Sequence, residues 1–303
     1  MIGPMGWTWN AEAVGRTLAT SPTPLYRIAA WTGRDIGRGK FSPLYRVYHK
    51  AAGRTLRPND QTVGDCVGHG AAKAAALAVA VAALDQSHPI TWPGDPSPEW
   101  IYAASRVEIG RGRLGAGDGS TGSWAADAVR LYGIVFQRQY PNGHDLRQYD
   151  GSRSRQWGAP RAGAPNDLEP EAKRHRLLTT SLVTTYEDAR DAIAAGYPVY
   201  VCSNQGFSDR RTAGGYAEAR GTWPHCMTFI AADETRPEPA LLCLNSWGPD
   251  WITGPTWPED QPAGSFWVRA RDAHNMLARQ PDSWALSAYE GFEPRDYQKW
   301  VAA

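Results

Sequence analysis

The order of elements in this chain predicts an α+β domain, with a helical half followed by a strand-rich half. Two observations carry that expectation. From Ala71 to Leu84 nearly every residue is Ala, Leu or Val, with Lys73 the lone charge. A helix that is apolar on every face is a buried one, here the central helix of its domain. From Pro198 on, short apolar segments bounded by turn residues recur at Pro198 to Cys202, Met227 to Ala231, Leu241 to Leu244 and Phe266 to Arg269. These read as strands. No internal repeat is evident.

Composition narrows the classes. The chain has 303 residues, 42% hydrophobic and 21% charged, enough for one large domain or two small ones. A net charge of +1 gives no bulk electrostatic reason to bind nucleic acid or an anionic membrane. Met1 to Asn10 lacks a basic stretch followed by an apolar one, so no secretory signal is expected. Val67 to Leu84 approaches membrane-spanning length, but it carries His69 and Lys73 and depends on Ala, which favours a buried soluble helix. Four cysteines, Cys66, Cys202, Cys226 and Cys243, contain no CxxC pair, so neither a disulfide framework nor a zinc ribbon is expected.

Taken in order, residues 1–55 are irregular and aromatic-rich, with Trp7, Trp9, Tyr26, Trp31, Tyr45 and Tyr48. They read as an arm wrapping the domain, or as an oligomer or assembly contact. After the buried helix, Ser97-Pro98-Glu99 opens a helix to about Glu108, with Pro in its first turn. Gly110 to Gly115 spells GxGxxG but follows a helix rather than a strand, so a flexible loop is the better reading than a dinucleotide site. Ser123 to Leu131 is a second helix, and Ile134-Val135-Phe136 a short strand. Residues 142–176, rich in Arg and Lys, read as a polar surface insertion. Tyr186 to Ala195 is a helix stopped by Gly196, and Gly206 to Gly221 a mobile-looking loop. The expected organisation is an arm (1–55), a domain (56–280, helical lobe about 60–140, strand-rich lobe about 180–275) and a C-terminal tail (281–303).

The chemistry centres on Gln61-Thr62-Val63-Gly64-Asp65-Cys66. A polar Gly-containing turn before Cys66 leaves two readings open: a small hydrophobic residue capping a core helix, or a thiol at a surface or cleft, at the positive end of the buried helix. That position lowers a thiol pKa and raises the thiolate fraction. A nucleophilic thiol also needs a base, a group to orient it and donors for an oxyanion. His225 begins an apolar strand, and Asn245 ends another, followed by Ser246-Trp247-Gly248-Pro249-Asp250-Trp251.

The order Gln–Cys–His–Asn, with Asn-Ser-Trp-Gly-x-x-Trp after the last of these strands, resembles the papain-like cysteine peptidases over roughly residues 55–270. Ser97-Pro98-Glu99 with Tyr102, Gly119-Ser120, Ala194 to Val199 and Gly264 to Val268 are similar to segments of bacterial and phage-encoded members. The resemblance implies a two-lobed fold, the helical lobe with its central buried helix packed against a barrel-like strand-rich lobe, and the site between them. It implies Cys66 as nucleophile, His225 as general base and acid, Asn245 as orienter and Trp247 as a cover over the His–Asn hydrogen bond. The Gln61 amide and the Cys66 N–H would form the oxyanion hole. Gly119, Ser120, Trp124 and Trp247 would line the substrate cleft. In the family Cys and His form an ion pair, which can bring a thiol pKa down to about 3–4. A peptide or protein substrate is implied, with no cofactor and no metal. The location would be cytoplasmic, or virion-associated if phage-encoded.

The sequence also departs from the family pattern. The Gln61-to-Cys66 gap is one residue short, Val63 stands where secreted members have a disulfide cysteine, Val67 replaces a common aromatic, and Cys226 follows His225. No inhibitory pro-segment is recognisable before Gln61. Other readings remain open: a non-catalytic assembly protein on the same fold, such as a virion component, or acyl transfer by the same triad. His69 reads as a packed helix residue rather than a base. Cys66, His69, His225 and Cys226 lack the tight local pairing of a zinc site. Cys202 and Cys243 read as core.

Overall fold

The computed structural model describes residues 2–22, 35–85 and 90–302. Tyr26, Trp31 and His88 lie outside them. The lead-in is more regular than its sequence suggests. Helix α1 (Ala11–Thr20) is capped by the Asn10 side chain, which accepts from the Ala13 N–H at 2.9 Å. Its apolar stripe is too short to stand out in sequence; the Thr17 hydroxyl, donating to Asp127 at 2.7 Å, docks it on the helical lobe. Strand β1 (Phe41–Ser42) and helix α2 (Tyr45–Ala52) follow, and Trp7, Tyr45 and Tyr48 are buried in the chain's own core.

Helix α3 (Cys66–Leu84) is the central element. One apolar cluster takes Ala76, Leu77, Ala80 and Val81 with the sheet, and a second takes Ala71, Ala74, Ala75 and Ala78 with the helical lobe. A helix covered on both sides must be apolar all round, which is why α3 shows no polar face. Ser97 caps α4 (Pro98–Ala103), which widens into a π-helical turn over Ala104–Ile109. Helix α5 (Gly122–Leu131) is capped by Thr121. The GxGxxG segment is held rather than loose. The buried Arg106 guanidinium donates to the carbonyls of Gly115, Gly117, Gly119 and Gly158. Ile134 to Phe136 is buried but forms no strand: Val135 accepts from the Ser97 N–H, and a single bridge joins Phe136 to Pro96.

Residues 142–176 are part of the helical lobe, not a surface insertion. They supply α6 (Gly151–Trp157) and α7 (Glu169–Lys173), with Leu146, Trp157, Leu168 and Ala172 buried. Their polarity misleads because the charges are paired: Arg153 reaches the fully buried Glu99 at 2.6 Å, and Arg155 reaches Asp118 at 2.9 Å.

The second lobe contains β2 (Thr179–Leu182), α8 (Tyr186–Ala194), β3 (Val199–Arg211), β4 (Ala217–Asp233), β5 (Ala240–Leu244), β6 (Ser265–Arg269), α9 (Ala270–Ala278), β7 (Trp284–Ser287) and α10 (Gln298–Ala302). The antiparallel sheet runs β2-β7-β3-β4-β5-β6, with β1 also pairing β4. Two expectations change. The Gly206 to Gly221 segment forms the turn end of a long β3–β4 hairpin, irregular in register and polar because much of it faces solvent. Residues 281–303 are not a tail, since β7 pairs with both β2 and β3.

Helix α3 meets β4 at backbone distance. The Thr228 hydroxyl donates to the Gly70 carbonyl at 2.8 Å, and a Cβ on Gly70 would lie 2.6 Å from Cys226 Sγ. Gly70→Ala is therefore expected to overpack this contact and lower unfolding free energy by about 1–3 kcal/mol, measured by urea titration.

Candidate active site

Two loops meet where α3 begins. The Gln61 N–H donates to the Ser246 carbonyl at 2.8 Å, and the Ser246 hydroxyl donates to Gln61 Oε1 at 2.6 Å. Asp60 and Trp247 form an antiparallel bridge, and the Gly248 N–H donates to the Asn59 carbonyl at 3.0 Å. The loop before Cys66 is thus stitched to the loop after β5. Cys66 opens α3, and His225 lies within β4, on the strand that α3 packs against.

His225 Nε2 donates to Asn245 Oδ1 at 2.8 Å, fixing the tautomer that leaves Nδ1 as an acceptor. Asn245 Oδ1 also accepts from the Ser246 N–H at 2.7 Å. The Trp247 ring lies over the imidazole, centroids 4.6 Å apart and planes tilted by 33°, and packs in turn on Trp223 and Trp251. Among the described residues His225 Nδ1 has no hydrogen-bond partner, and no hydrogen bond joins it to Cys66.

The cleft is filled by the chain's own residues 2–8. The backbone of Gly6 and of Cys226 lies against the Cys66 sulfur and favours its thiolate, though less than burial opposes it. The Trp7 N–H donates to the Pro224 carbonyl at 3.0 Å. The Ser120 N–H donates to Gly6 O at 2.8 Å, and the Thr8 N–H to Ser120 O at 2.9 Å, making a parallel bridge. The pairing is a single isolated bridge, outside the sheet. The Pro4 carbonyl accepts from both Gln61 Nε2 (3.2 Å) and Trp247 Nε1 (2.9 Å). The Trp7 indole enters the fold and donates to Asp282 at 2.9 Å; the same carboxylate accepts from the Gly122 and Ser123 amides and from Trp284. Gly6 must be glycine to pass: its Cβ would lie 1.8 Å from the Gly64 carbonyl.

The expected surface position of Cys66 is therefore not met. Cys66 and His225 are 0% exposed, Asn245 2% and Gln61 5%. The expected low thiol pKa is not met either. Burial pushes the Cys66 thiol well above its ordinary value, with the Cys226 and Asp65 charges adding to it, and outweighs the helix end. Burial lowers His225 to about 4, against the opposing Asn245 hydrogen bond. Both groups are neutral at pH 7 in this closed form. Desolvation also raises Asp282 to about 6.

Of the remaining expected residues, Ser120 supplies the bridge, and Gly119 lies against Gly6, its Cβ position 2.7 Å from that carbonyl. Trp124 is buried with its ring against Gly110. His69 is a packed helix residue whose Nδ1 lies 3.0 Å from Asn59 Nδ2, and Cys202 and Cys243 are core. Among the described residues no group of three His, Cys, Asp or Glu is placed to hold a metal. Sequence reasoning missed the segment at residues 2–8 and Asp282. The available signal was Gly3 and Gly6 between apolar residues, a spacing that lets a backbone pass closely.

No family model matches the chain, and no curated protein matches it in sequence. Solved structures do match in fold. Xylellain, a cysteine protease from Xylella fastidiosa, aligns at 15% identity with TM-score 0.54, covering 95% of this chain and 92% of its own. Procathepsin L2 proteinase from Tenebrio molitor larval midgut aligns at 13% and 0.54, covering 94% and 78%. ProCathepsin B S9 from Trypanosoma congolense aligns at 11% and 0.52, covering 96% and 87%. The chain has the papain-like α+β two-lobed fold.

The His225 shift has a sign that can be checked. A folded pKa of about 4 against 6.5 means the native state resists protonation, so stability is complete above 6.5 and is lost as pH falls toward 4. Between pH 7 and 5 the loss is about 2 kcal/mol. Asp282 works the other way, its raised value adding stability as pH falls through about 6. His225→Gln should therefore remove an acid-side loss of about 2 kcal/mol relative to wild type, read from urea titrations at the two pH values.

Proposed function

We propose that the protein is a cysteine peptidase that hydrolyses peptide bonds through Cys66, His225 and Asn245, with Gln61 donating to the oxyanion. The observation that carries this reading is the His225–Asn245 hydrogen bond under Trp247, on the strand that packs against the helix opened by the Cys66 thiol. In the reaction, residues 2–8 leave and a substrate chain pairs with Ser120 in their place. Readmitted water and the helix end then restore the thiolate, and His225 takes the Cys66 proton at Nδ1. The sulfur attacks the carbonyl carbon, the oxygen charge falls to the Gln61 amide and the Cys66 N–H, and the imidazolium protonates the leaving amine. Water, activated by His225, then hydrolyses the thioester. The departures around Cys66 favour a bacterial or phage-type enzyme.

A second reading keeps the fold as an assembly or binding module, for instance in a virion. It is favoured by one observation: the thiol is wholly covered by its own chain and makes no hydrogen bond to His225. The same triad would also serve acyl transfer to an amine.

Mass-detected alkylation of native protein across pH 4 to 9 separates the readings. With residues 2–8 displaced by Gly6→Val, a working pair gives single fast labelling at Cys66 well below pH 8 that is lost when His225→Ala is added, and Cys66→Ala abolishes peptide turnover. An ordinary thiol labels only near its unperturbed pKa of about 8.5 in both proteins, which overturns the peptidase reading.

Gly6→Val adds a side chain where there is no room and should displace residues 2–8. Overpacking of about 1–3 kcal/mol corresponds to labelling roughly 10-fold or more faster than wild type at one pH.

A further inference from the structure

The Cys66 loop is gripped from outside the cleft, at successive residues, by the segment that sequence alone reads as an insertion. The Thr62 N–H donates to the Tyr149 hydroxyl at 3.4 Å, and the Gly64 N–H donates at 3.0 Å to Asp118, which Arg155 holds at 2.9 Å. Asp65 takes the strongest grip. Its Oδ2 accepts from Tyr149 at 3.0 Å and from Ser154 at 2.6 Å, in a site where Asp65 and Ser154 are fully buried. Gly151 closes the packing, its Cβ position 2.2 Å from Thr62 Oγ1.

The direction of the Asp65 side chain is informative. Asp65 occupies the N-cap position of α3, where an aspartate ordinarily accepts hydrogen bonds from the second or third amide of the helix. Here it makes no such bond. The carboxylate is turned away to two hydroxyls from residues 149 and 154. His69 lies on its other side, Nε2 at 3.2 Å from Oδ1 but off hydrogen-bond geometry, with its ring edge-on to Tyr149 at 4.6 Å. The helix amides beside Cys66 are thereby left free of a carboxylate.

With Cys66 as the proposed nucleophile, on which this rests, we infer that Tyr149 and Ser154 are positioning residues that hold the Asp65 carboxylate off the N-terminus of α3. Their hydroxyls keep the positive helix end and the Cys66 N–H available to the sulfur and the oxyanion. Without them the carboxylate turns to cap α3, placing a negative charge beside the thiol and displacing the Asp65–Cys66 peptide. The groups that act on the thiol are Cys226, Asp65, Cys202 and the Gly6 backbone. Those facing Asp65 are His69, Tyr149 and Ser154, with Asn59 behind His69.

The test uses the full chain and iodoacetamide, with labelling at Cys66 mapped by mass across pH 5 to 10. In Tyr149→Phe/Ser154→Ala the midpoint rises by about one pH unit, and adding Asp65→Asn to that chain brings it back. An unchanged midpoint in the double variant overturns the inference. So does a rise that persists with Asp65→Asn, because loosened packing would not be repaired by removing one charge. If the double variant does not fold, Tyr149→Phe alone must shift the midpoint in the same direction, and no shift overturns it. A wild-type midpoint that ignores His225→Ala would remove the peptidase reading, while the shift caused by Asp65 remains readable on the thiol itself.

Discussion

The backbone-close contact between helix α3 and strand β4 is the constraint from which the site follows. Helix α3 carries Cys66 at its start, β4 carries His225, and Gly70 lets the two approach until a methyl group would not fit. Alanine and glycine in the helix make that distance reachable, and the two apolar clusters on either side make it stable. The loop holding Gln61 and the loop holding Asn245 are then close enough to exchange hydrogen bonds through Ser246. The lobes are joined where the polar residues are needed.

The closed form shows how strongly burial competes with the other influences on a thiol. A helix end favours the thiolate, yet with water excluded by residues 2–8 both Cys66 and His225 shift toward their neutral forms. The same segment satisfies polar groups around the thiol: Gln61 and Trp247 donate to the Pro4 carbonyl, and Ser120 donates to Gly6 and accepts from Thr8. Closure and electrostatics are therefore one event, because removing the segment returns both water and free donors.

Polar residues outside the cleft are equally committed. Glu99 and Arg153, Asp118 and Arg155, and Asp65 with Tyr149 and Ser154 fasten α6 to the helical lobe and to the Cys66 loop. Arg106 does the same for the glycine-rich segment leading to Gly119 and Ser120. Stretches that look solvated in sequence act as supports because several of their charges find a partner far away in the chain.

The sequence by itself determined the central helix, the strands of the second half and the identity of Gln61, Cys66, His225 and Asn245 as the residues worth following. Periodicity and residue type are local properties, and the Asn-Ser-Trp-Gly run is a local motif. Tertiary structure decided the rest. Residues 2–8 find their place through main-chain hydrogen bonds, which leave no mark on side-chain pattern. The Gly206 to Gly221 hairpin and strand β7 owe their regularity to pairing partners distant in sequence. The state of the thiol depends on how much water reaches it, and that is set by a segment some sixty residues away along the chain.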